Sequence, residues 1–142
     1  MYLLRYIQRL FTFIPRIWHR HGFGVHSPHD YELVKDVLFE KMAYYAYEEQ
    51  SIISKADRQM YRLKLRFGDN LMYSKADEDA LYEQLACSDD DSKALVIDNL
   101  SGCNYPLWLK ILDDSRARVT FDMGNRGLVL FDRKRIKQNY LL

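Results

Sequence analysis

The sequence lacks the defining features of several protein classes. It has two cysteines, Cys87 and Cys103, so we expect no disulfide framework and a reducing, cytoplasmic compartment. No uninterrupted apolar run approaches the roughly 20 residues that a membrane-spanning helix needs. The formal net charge is only +1, so we expect no nucleic acid as a partner. It also lacks a phosphate-binding loop, a nucleophile elbow and a metalloprotease motif.

The composition that remains is that of a globular protein. Hydrophobic residues make up 48% and charged residues 29% of the chain. A length of 142 residues suits one domain with its own core. We therefore expect a single domain over 1–142, with a helical part over 1–62 and an α/β part over 63–142.

The N-terminal segment 1–29 contains no acidic residue. Its charge of +4 comes from Arg5, Arg9, Arg16 and Arg20. Apolar side chains recur there at the spacing of a helix face, at Tyr2, Leu3, Tyr6, Leu10 and Phe13. Two interpretations stay open. The helix packs on the domain with its arginines in solvent, or it is a basic amphipathic helix that binds an anionic membrane surface or an acidic partner.

Helical signals continue into the middle of the chain. Ser27, Pro28 and Asp30 suit the start of a helix, and a further helix is predicted over 48–61. Segment 63–67 alternates apolar and basic residues, so it is either a strand or the end of that helix. A set of basic residues in this region could contact nucleic acid, although we interpret it as a face exposed to solvent. It consists of Lys55, Arg58, Arg62, Lys64 and Arg66.

The second half alternates predicted helices and strands. We expect helices over 77–86 and 106–112, a buried strand over 94–98, strands over 119–122 and 127–131 joined by a tight turn, and a partly helical tail over 132–142. The fold class is therefore α/β, with N-terminal helices and a small sheet that ends in an antiparallel hairpin.

Four segments resemble a known family. His21–Pro28 reads HGFGVHSP, which is similar to the N-terminal signature of bacterial class I S-adenosylmethionine-dependent methyltransferase-like proteins, O-methyltransferase-like in kind. Further elements of the same group are similar to Tyr44–Glu49, Ala94–Asn99 and Val119–Tyr140. The resemblance covers about 15–60 and 94–142. It implies a partial Rossmann-like sheet and S-adenosylmethionine as the cofactor of full-length relatives.

The cofactor-binding element of that family is missing from the sequence. Such enzymes need a strand that runs into a Gly-rich turn, because only glycine lets the backbone approach the cofactor closely. None lies between Glu49 and Leu81, where relatives would carry roughly a hundred more residues. We expect a shortened methyltransferase-like protein without methyl-transfer activity and without a bound cofactor, in a structural or binding role.

Two alternatives to this interpretation stay open. The chain could be an active S-adenosylmethionine-dependent methyltransferase that completes its site with another chain. It could instead be an interaction module that uses its basic N-terminal helix. A measurement of cofactor binding distinguishes the active methyltransferase from the shortened protein. The interaction module instead predicts binding through the helix that weakens as salt is added.

The resemblance also supplies candidate catalytic residues. Asp98 and Asn99 stand at the end of a strand. In metal-dependent O-methyltransferases an Asp-Asn pair at such a place helps to bind a divalent cation. A third carboxylate would have to come from the preceding strand end, where Asp69 and Asp77 are the only plausible donors. Because roughly six oxygen ligands are needed, we expect no metal and expect Asp98 to cap a loop or the next helix. His26 is a candidate general base, because imidazole titrates near neutral pH. The spacing of the four histidines matches no zinc pattern.

The missing half of the sheet has a consequence for partners. A doubly wound sheet that is cut through its middle exposes an apolar strand edge, and such an edge pairs readily. We therefore expect a homodimer or hetero-oligomer that covers an edge next to Ala94–Asp98. A peripheral membrane surface or an acidic partner would be bound through Arg5, Arg9, Arg16 and Arg20.

Overall fold

The structure is a computed structural model that describes residues 2–21, 24–73 and 77–142, without the side chains at positions 2, 5, 6, 8 and 9. Its helices are α1 (Tyr2–Phe11), α2 (Phe13–Arg20), α3 (Pro28–Glu32), α4 (Tyr45–Glu49), α5 (Lys55–Phe67), α6 (Glu78–Ala86) and α7 (Tyr105–Asp113). A π-helical segment, Leu33–Leu38, extends α3. No helix within these ranges is long and apolar enough to cross a membrane.

The strands form one mixed five-stranded sheet. They are β1 (Leu71–Tyr73), β2 (Ala94–Asp98), β3 (Val119–Asp122), β4 (Arg126–Leu130) and β5 (Gln138–Leu141). The strand order is β1-β2-β4-β3-β5. The parallel pairs are β1 with β2 and β3 with β5, whereas β4 is antiparallel to both of its neighbours. The fold class α/β is therefore confirmed at the level of a mixed sheet covered by helices.

Two details of the predicted sheet are wrong. Strands β3 and β4 do pair as an antiparallel hairpin, but the sheet does not end there, because β4 lies between β2 and β3. The tail that we predicted to be partly helical forms β5, which pairs with β3. The Tyr140 ring in β5 stacks on Phe121 with 5.3 Å between centroids, and Leu142 is fully buried. These long-range contacts hold the tail as a strand.

Strand β2 is buried on both faces. Ala94 and Val96 face one core cluster, whereas Leu95 and Ile97 face the other, as the alternation of a strand requires. The predicted edge therefore does not lie at β2 itself. Strand β1, which we did not predict, pairs with β2 on that side, and the outer strands of the sheet are β1 and β5.

Helices cover both faces of the sheet. The π-helical segment and α5 contribute to the first core cluster, while α6 and α7 contribute to the second. Trp108 of α7 is fully buried, as predicted. A Cβ atom at Gly127 of β4 would lie 2.5 Å from the Trp108 ring, so only glycine allows this close packing.

The middle helices differ in part from expectation. Residues 63–67 belong to α5, which settles the ambiguity in favour of the helix. Ser54 caps this helix, because its Oγ accepts a hydrogen bond from the Asp57 N–H at 3.0 Å. The predicted helix over 48–61 is interrupted between α4 and α5, where Ser51 has a φ of 53°.

Three of the five side chains in the predicted apolar stripe of the N-terminal helices lie in solvent, whereas the side chains of Tyr2 and Tyr6 lie outside the described residues. Leu3, Leu10 and Phe13 are 70%, 64% and 63% exposed. The interpretation that this stripe packs on the domain is therefore wrong for these residues. Pro15 is the third residue of α2, in the first turn where a missing N–H costs little.

Candidate functional site

The carboxylate of Asp98 at the end of β2 is held in an ion pair. Arg126 of β4 donates from Nε to Oδ1 at 2.5 Å and from Nη2 to Oδ2 at 3.0 Å. The Tyr73 hydroxyl of β1 donates to Oδ2 at 2.8 Å. Burial, and then this hydrogen bond to Asp98, raise the pKa of Tyr73. The described contacts of this side chain are to a neighbouring strand on each side, and none of these described contacts is a helix cap.

The loop after β2 is fixed by its own contacts. Asn99 has a φ of 59°, and its amide Nδ2 donates to the Cys103 Sγ at 3.2 Å. The Asn104 amide donates to the Asp98 carbonyl at 2.8 Å. A Cβ atom at Gly102 would lie 2.4 Å from the Asn99 Oδ1, so the loop closes tightly around this amide.

The predicted catalytic residues are not brought together as one site. Asp98 and Asn99 are adjacent, but the contacts of their side chains point to Arg126 and Cys103 respectively. His26 is exposed just before α3, and none of the described contacts joins it to Asp98. Within the described residues, no three histidine, cysteine or acidic side chains form a group that could hold a metal ion.

A basic cleft lies on the other side of Arg126. Its volume is about 900 Å³, and it is bounded by α2, the π-helical segment, residues 39–42 and α5. Two carboxylates, Asp36 and Glu40, line it together with six basic side chains. Those are Arg20, Lys35, Lys41, Lys55, Arg58 and Arg62. We call this feature the basic cleft; its lining carries four more formal positive charges than negative ones.

The wall of the basic cleft is built from cations on aromatic rings and carbonyls. The guanidinium of Arg58 lies 5.0 Å from the Tyr47 ring centroid, and that of Arg20 lies 5.1 Å from the Phe39 centroid. Arg62 is buried and donates to the carbonyls of Val37 and Leu38 at the end of the π-helical segment. These carbonyls lack helical partners, so Arg62 satisfies them.

One glutamine connects the basic cleft to the strand end. The Gln59 Nε2 donates to the Leu38 carbonyl at 2.9 Å, and its Oε1 accepts from Arg126 Nη1 at 3.3 Å. Arg126 also donates to the Ala56 carbonyl at 2.8 Å. Arg126 therefore joins Asp98 to the first turns of α5.

The solvated-face interpretation of the basic set is wrong for part of it. Arg62 is 8% exposed and Arg58 is half-buried, whereas Lys64 and Arg66 are exposed. Helical spacing could have separated the two faces of α5. Nothing in the sequence indicates that the segment 33–42 lies against it, so the cleft itself was not predicted.

The helices α1 and α2 form a third feature, an apolar face that we call the N-terminal face. Its nine large side chains are between 38% and 80% exposed, and they are Leu3, Leu4, Ile7, Leu10, Phe11, Phe13, Ile14, Ile17 and Trp18. Arg16 and His19 hold α2 on the sheet. His19 Nδ1 lies 2.7 Å from the Leu141 carbonyl, and Arg16 Nη1 donates to the Leu142 carbonyl at 2.9 Å.

The four arginines that we predicted to bind a partner therefore differ in their exposure to solvent. Arg16 is 5% exposed and turned towards the sheet, so it is not available to a partner. Arg20 is exposed beside Phe39. The side chains of Arg5 and Arg9 lie outside the described residues.

Comparisons of the chain with known proteins do not indicate what these features do. Profiles of protein families, curated proteins and solved structures all return no match.

Proposed function

We propose that this protein is a non-catalytic binding protein that attaches to anionic membrane surfaces through the N-terminal face. We further propose that its α/β part is a shortened methyltransferase-like domain that transfers no methyl group. The observation that carries this function is the exposure of nine large apolar side chains on a segment without acidic residues.

Charge favours an anionic membrane over a second copy of the chain as the occupant of this face. Without Arg16, whose charge is paired with the buried Asp122, the segment 1–29 still carries a formal charge of +3, so two copies that met through it would repel each other. An anionic surface instead attracts each basic residue near it by about 1 kcal/mol. Insertion of the apolar side chains then adds the hydrophobic term, at about 1.5–3 kcal/mol for each side chain that becomes fully buried.

The anchoring of α2 supports the same function. The Arg16 and His19 side chains bind backbone carbonyls of the C-terminal strand region, so α2 is held against the sheet on that side. Ile14, Ile17 and Trp18 of the same helix remain exposed. A helix fixed in this way presents its apolar side chains outward without losing contact with the domain.

The state of Asp98 supports the absence of methyl transfer. Both of its carboxylate oxygens accept hydrogen bonds from Arg126, and one also accepts from Tyr73. A cation or a substrate hydroxyl would have to displace the guanidinium. Helices and a 3-10 turn lead up to β1 within the described residues, and the sequence offers no Gly-rich turn after a strand there.

Vesicle flotation tests the membrane function. We expect the protein to float with vesicles that contain phosphatidylglycerol and to stay behind with vesicles of phosphatidylcholine alone. Trp18 is 61% exposed and Trp108 is fully buried, so binding should shift the Trp18 emission to shorter wavelength. The variant Leu10→Glu with Phe11→Glu should lose flotation, because two carboxylates would have to enter the apolar layer.

A matched control keeps this test specific. Ile53→Glu with Ile136→Glu places the same charges at side chains that are 83% and 81% exposed outside the N-terminal face. This variant should float as the wild-type protein does. Equal loss in both variants, or a stable dimer by light scattering that only Leu10→Glu with Phe11→Glu disrupts, would contradict the membrane function and indicate a second copy as the occupant.

Calorimetric titration tests the absence of a cofactor site. S-adenosylmethionine and S-adenosylhomocysteine should give no binding heat and no thermal stabilisation, with or without Mg²⁺, because a ligand that binds the folded state must stabilise it. Micromolar binding would overturn this half of the proposal. It would favour a methyltransferase that uses Asp98 and Asn99 in an unforeseen way.

A further inference from the structure

We infer that the basic cleft, which adjoins the N-terminal face at Ile17, binds a ligand with two phosphate groups. The inference does not rest on the proposed membrane function. Its starting point is the surplus of four formal positive charges in a cleft of about 900 Å³. At neutral pH two phosphate groups carry about −3 to −4 charges in total as monoesters and about −2 as diesters, and the surplus in the cleft can balance either.

The cations of the basic cleft fall into two kinds. Arg62 uses its donors on the Val37 and Leu38 carbonyls and on the Tyr47 hydroxyl, so it belongs to the wall. Lys41 and Lys55 are exposed and form no ion pair in the part of the chain that the structure describes. They are available to a ligand.

Arg58 combines both roles. Its Nε donates to the Ile52 carbonyl at 3.1 Å, and its guanidinium lies over the Tyr47 ring. Among the described residues, its terminal nitrogens have no hydrogen-bond partner. A guanidinium that is already oriented by a ring and a carbonyl loses little further entropy when it binds a phosphate.

The acidic side chains of the cleft do not neutralise these cations. The Glu40 Oε1 accepts hydrogen bonds from the backbone N–H groups of Lys41 and Met42, at 2.7 and 2.8 Å. It thus stabilises its own loop. Neither Glu40 nor Asp36 is in an ion pair with a cleft lysine within the described ranges.

The backbone of the cleft is also unusual. Lys35, Asp36 and Leu38 belong to the π-helical segment, in which the Phe39 N–H bonds to the Val34 carbonyl at 3.0 Å. Such segments are rare and occur frequently at functional sites. The Leu38 carbonyl at the end of this segment accepts hydrogen bonds from Gln59 and Arg62, so Lys35 projects from a fixed backbone.

The same phosphate chemistry could come from a soluble molecule or from a lipid headgroup. Inorganic pyrophosphate is the soluble probe, measured by calorimetry. Vesicles with cardiolipin, whose headgroup has two phosphates, are the lipid probe, compared with phosphatidylglycerol vesicles of equal surface charge. The test variant is Lys41→Glu with Lys55→Glu. It should fold, because both side chains are exposed and a glutamate at the first position of α5 suits the helix dipole.

Lys64→Glu with Lys134→Glu is the matched control, since both lysines are exposed and lie outside the cleft. We expect the affinity of the test variant for pyrophosphate, or its preference for cardiolipin over phosphatidylglycerol, to be at least about ten-fold lower than that of the wild type. The control variant should keep the wild-type values. Loss in the pyrophosphate arm identifies a soluble ligand, and loss only in the cardiolipin arm identifies a lipid. If neither probe binds the wild type, or if both variants lose equally, the inference is overturned. Flotation with phosphatidylglycerol would remain intact in the test variant, which separates this result from failure of the membrane function.

Discussion

Arg16 of α2 and Asp122 of β3 form a buried ion pair that joins the N-terminal helices to the sheet. The Arg16 Nη1 lies 3.3 Å from the Asp122 Oδ1, and the two side chains are 6% and 2% exposed. Asp122 also accepts hydrogen bonds from the Trp108 Nε1 at 3.2 Å and from the Gly124 N–H at 2.8 Å. The pair therefore links α2, α7 and the turn after β3.

Loss of this pair should destabilise the protein strongly. Arg16→Met keeps most of the apolar stem but leaves Asp122 buried with one charged partner fewer. Breaking a buried pair in this way costs about 3–5 kcal/mol. Urea unfolding measures the change, with Arg20→Met on the same helix as the control, since Arg20 is exposed and its effect should stay below about 1 kcal/mol. Equal effects of the two substitutions would show that the pair does not anchor α2.

The ion pair between Asp98 and Arg126 should contribute to stability. Asp98→Asn removes the negative charge that Arg126 and Tyr73 both contact, and we expect the free energy of unfolding to fall by about 1–2 kcal/mol, because the pair is partly exposed. The pKa of Tyr73 should fall towards its ordinary value, since one cause of its increase is the bond to Asp98. Ring-labelled tyrosine followed by NMR measures this shift. A rise in stability on Asp98→Asn would instead indicate a strained functional carboxylate.

Local sequence patterns correctly predicted elements whose own apolar residues show that they are buried. Strand β2 is apolar at successive positions and α7 has Trp108 at a helical spacing, and both were correct. Strand β5 was not predicted, because its Tyr140 and Leu142 are buried only by contacts with a strand that lies about 20 residues earlier in the chain. Strand β1 has three residues, too few to show a period.

Charge patterns predicted sites less well than elements. Arg16 belongs to the same acid-free segment as Arg20, and the sequence contains nothing that distinguishes a buried arginine from an exposed one there. The distinction comes from Asp122, which lies 106 residues away in the chain. The basic cleft has the same origin, because α2, the segment 33–42 and α5 are brought together only by the fold.

Charge reversal in α1 should abolish membrane attachment without unfolding the domain. Arg5→Glu with Arg9→Glu replaces two positive charges on the N-terminal segment, and we expect flotation with phosphatidylglycerol vesicles to be lost. The wild-type protein should bind less as salt is added, because screening weakens attraction between exposed charges. Unchanged flotation of the double variant, with unchanged salt dependence, would remove the electrostatic part of the proposed function.

Asp114 should make stability depend on acid pH. Its carboxylate accepts from the Arg116 Nε at 3.1 Å and from the Tyr82 hydroxyl at 2.8 Å. The Arg116 contacts hold the pKa of Asp114 well below its usual range. The folded state therefore keeps this carboxylate charged at a pH where the unfolded chain, with a pKa of about 3.9, takes up a proton.

The stability that Asp114 contributes is thus complete above about pH 4 and is lost as the pH falls further. Asp114→Asn should lower the free energy of unfolding at neutral pH by about 1–2 kcal/mol and flatten its decline below about pH 4. Urea unfolding across that range measures both changes. Asp113→Asn is the neighbouring control, because Asp113 is exposed at the end of α7 and should leave the acid slope unchanged. The same slope in wild type and Asp114→Asn would mean that other carboxylates govern the acid transition.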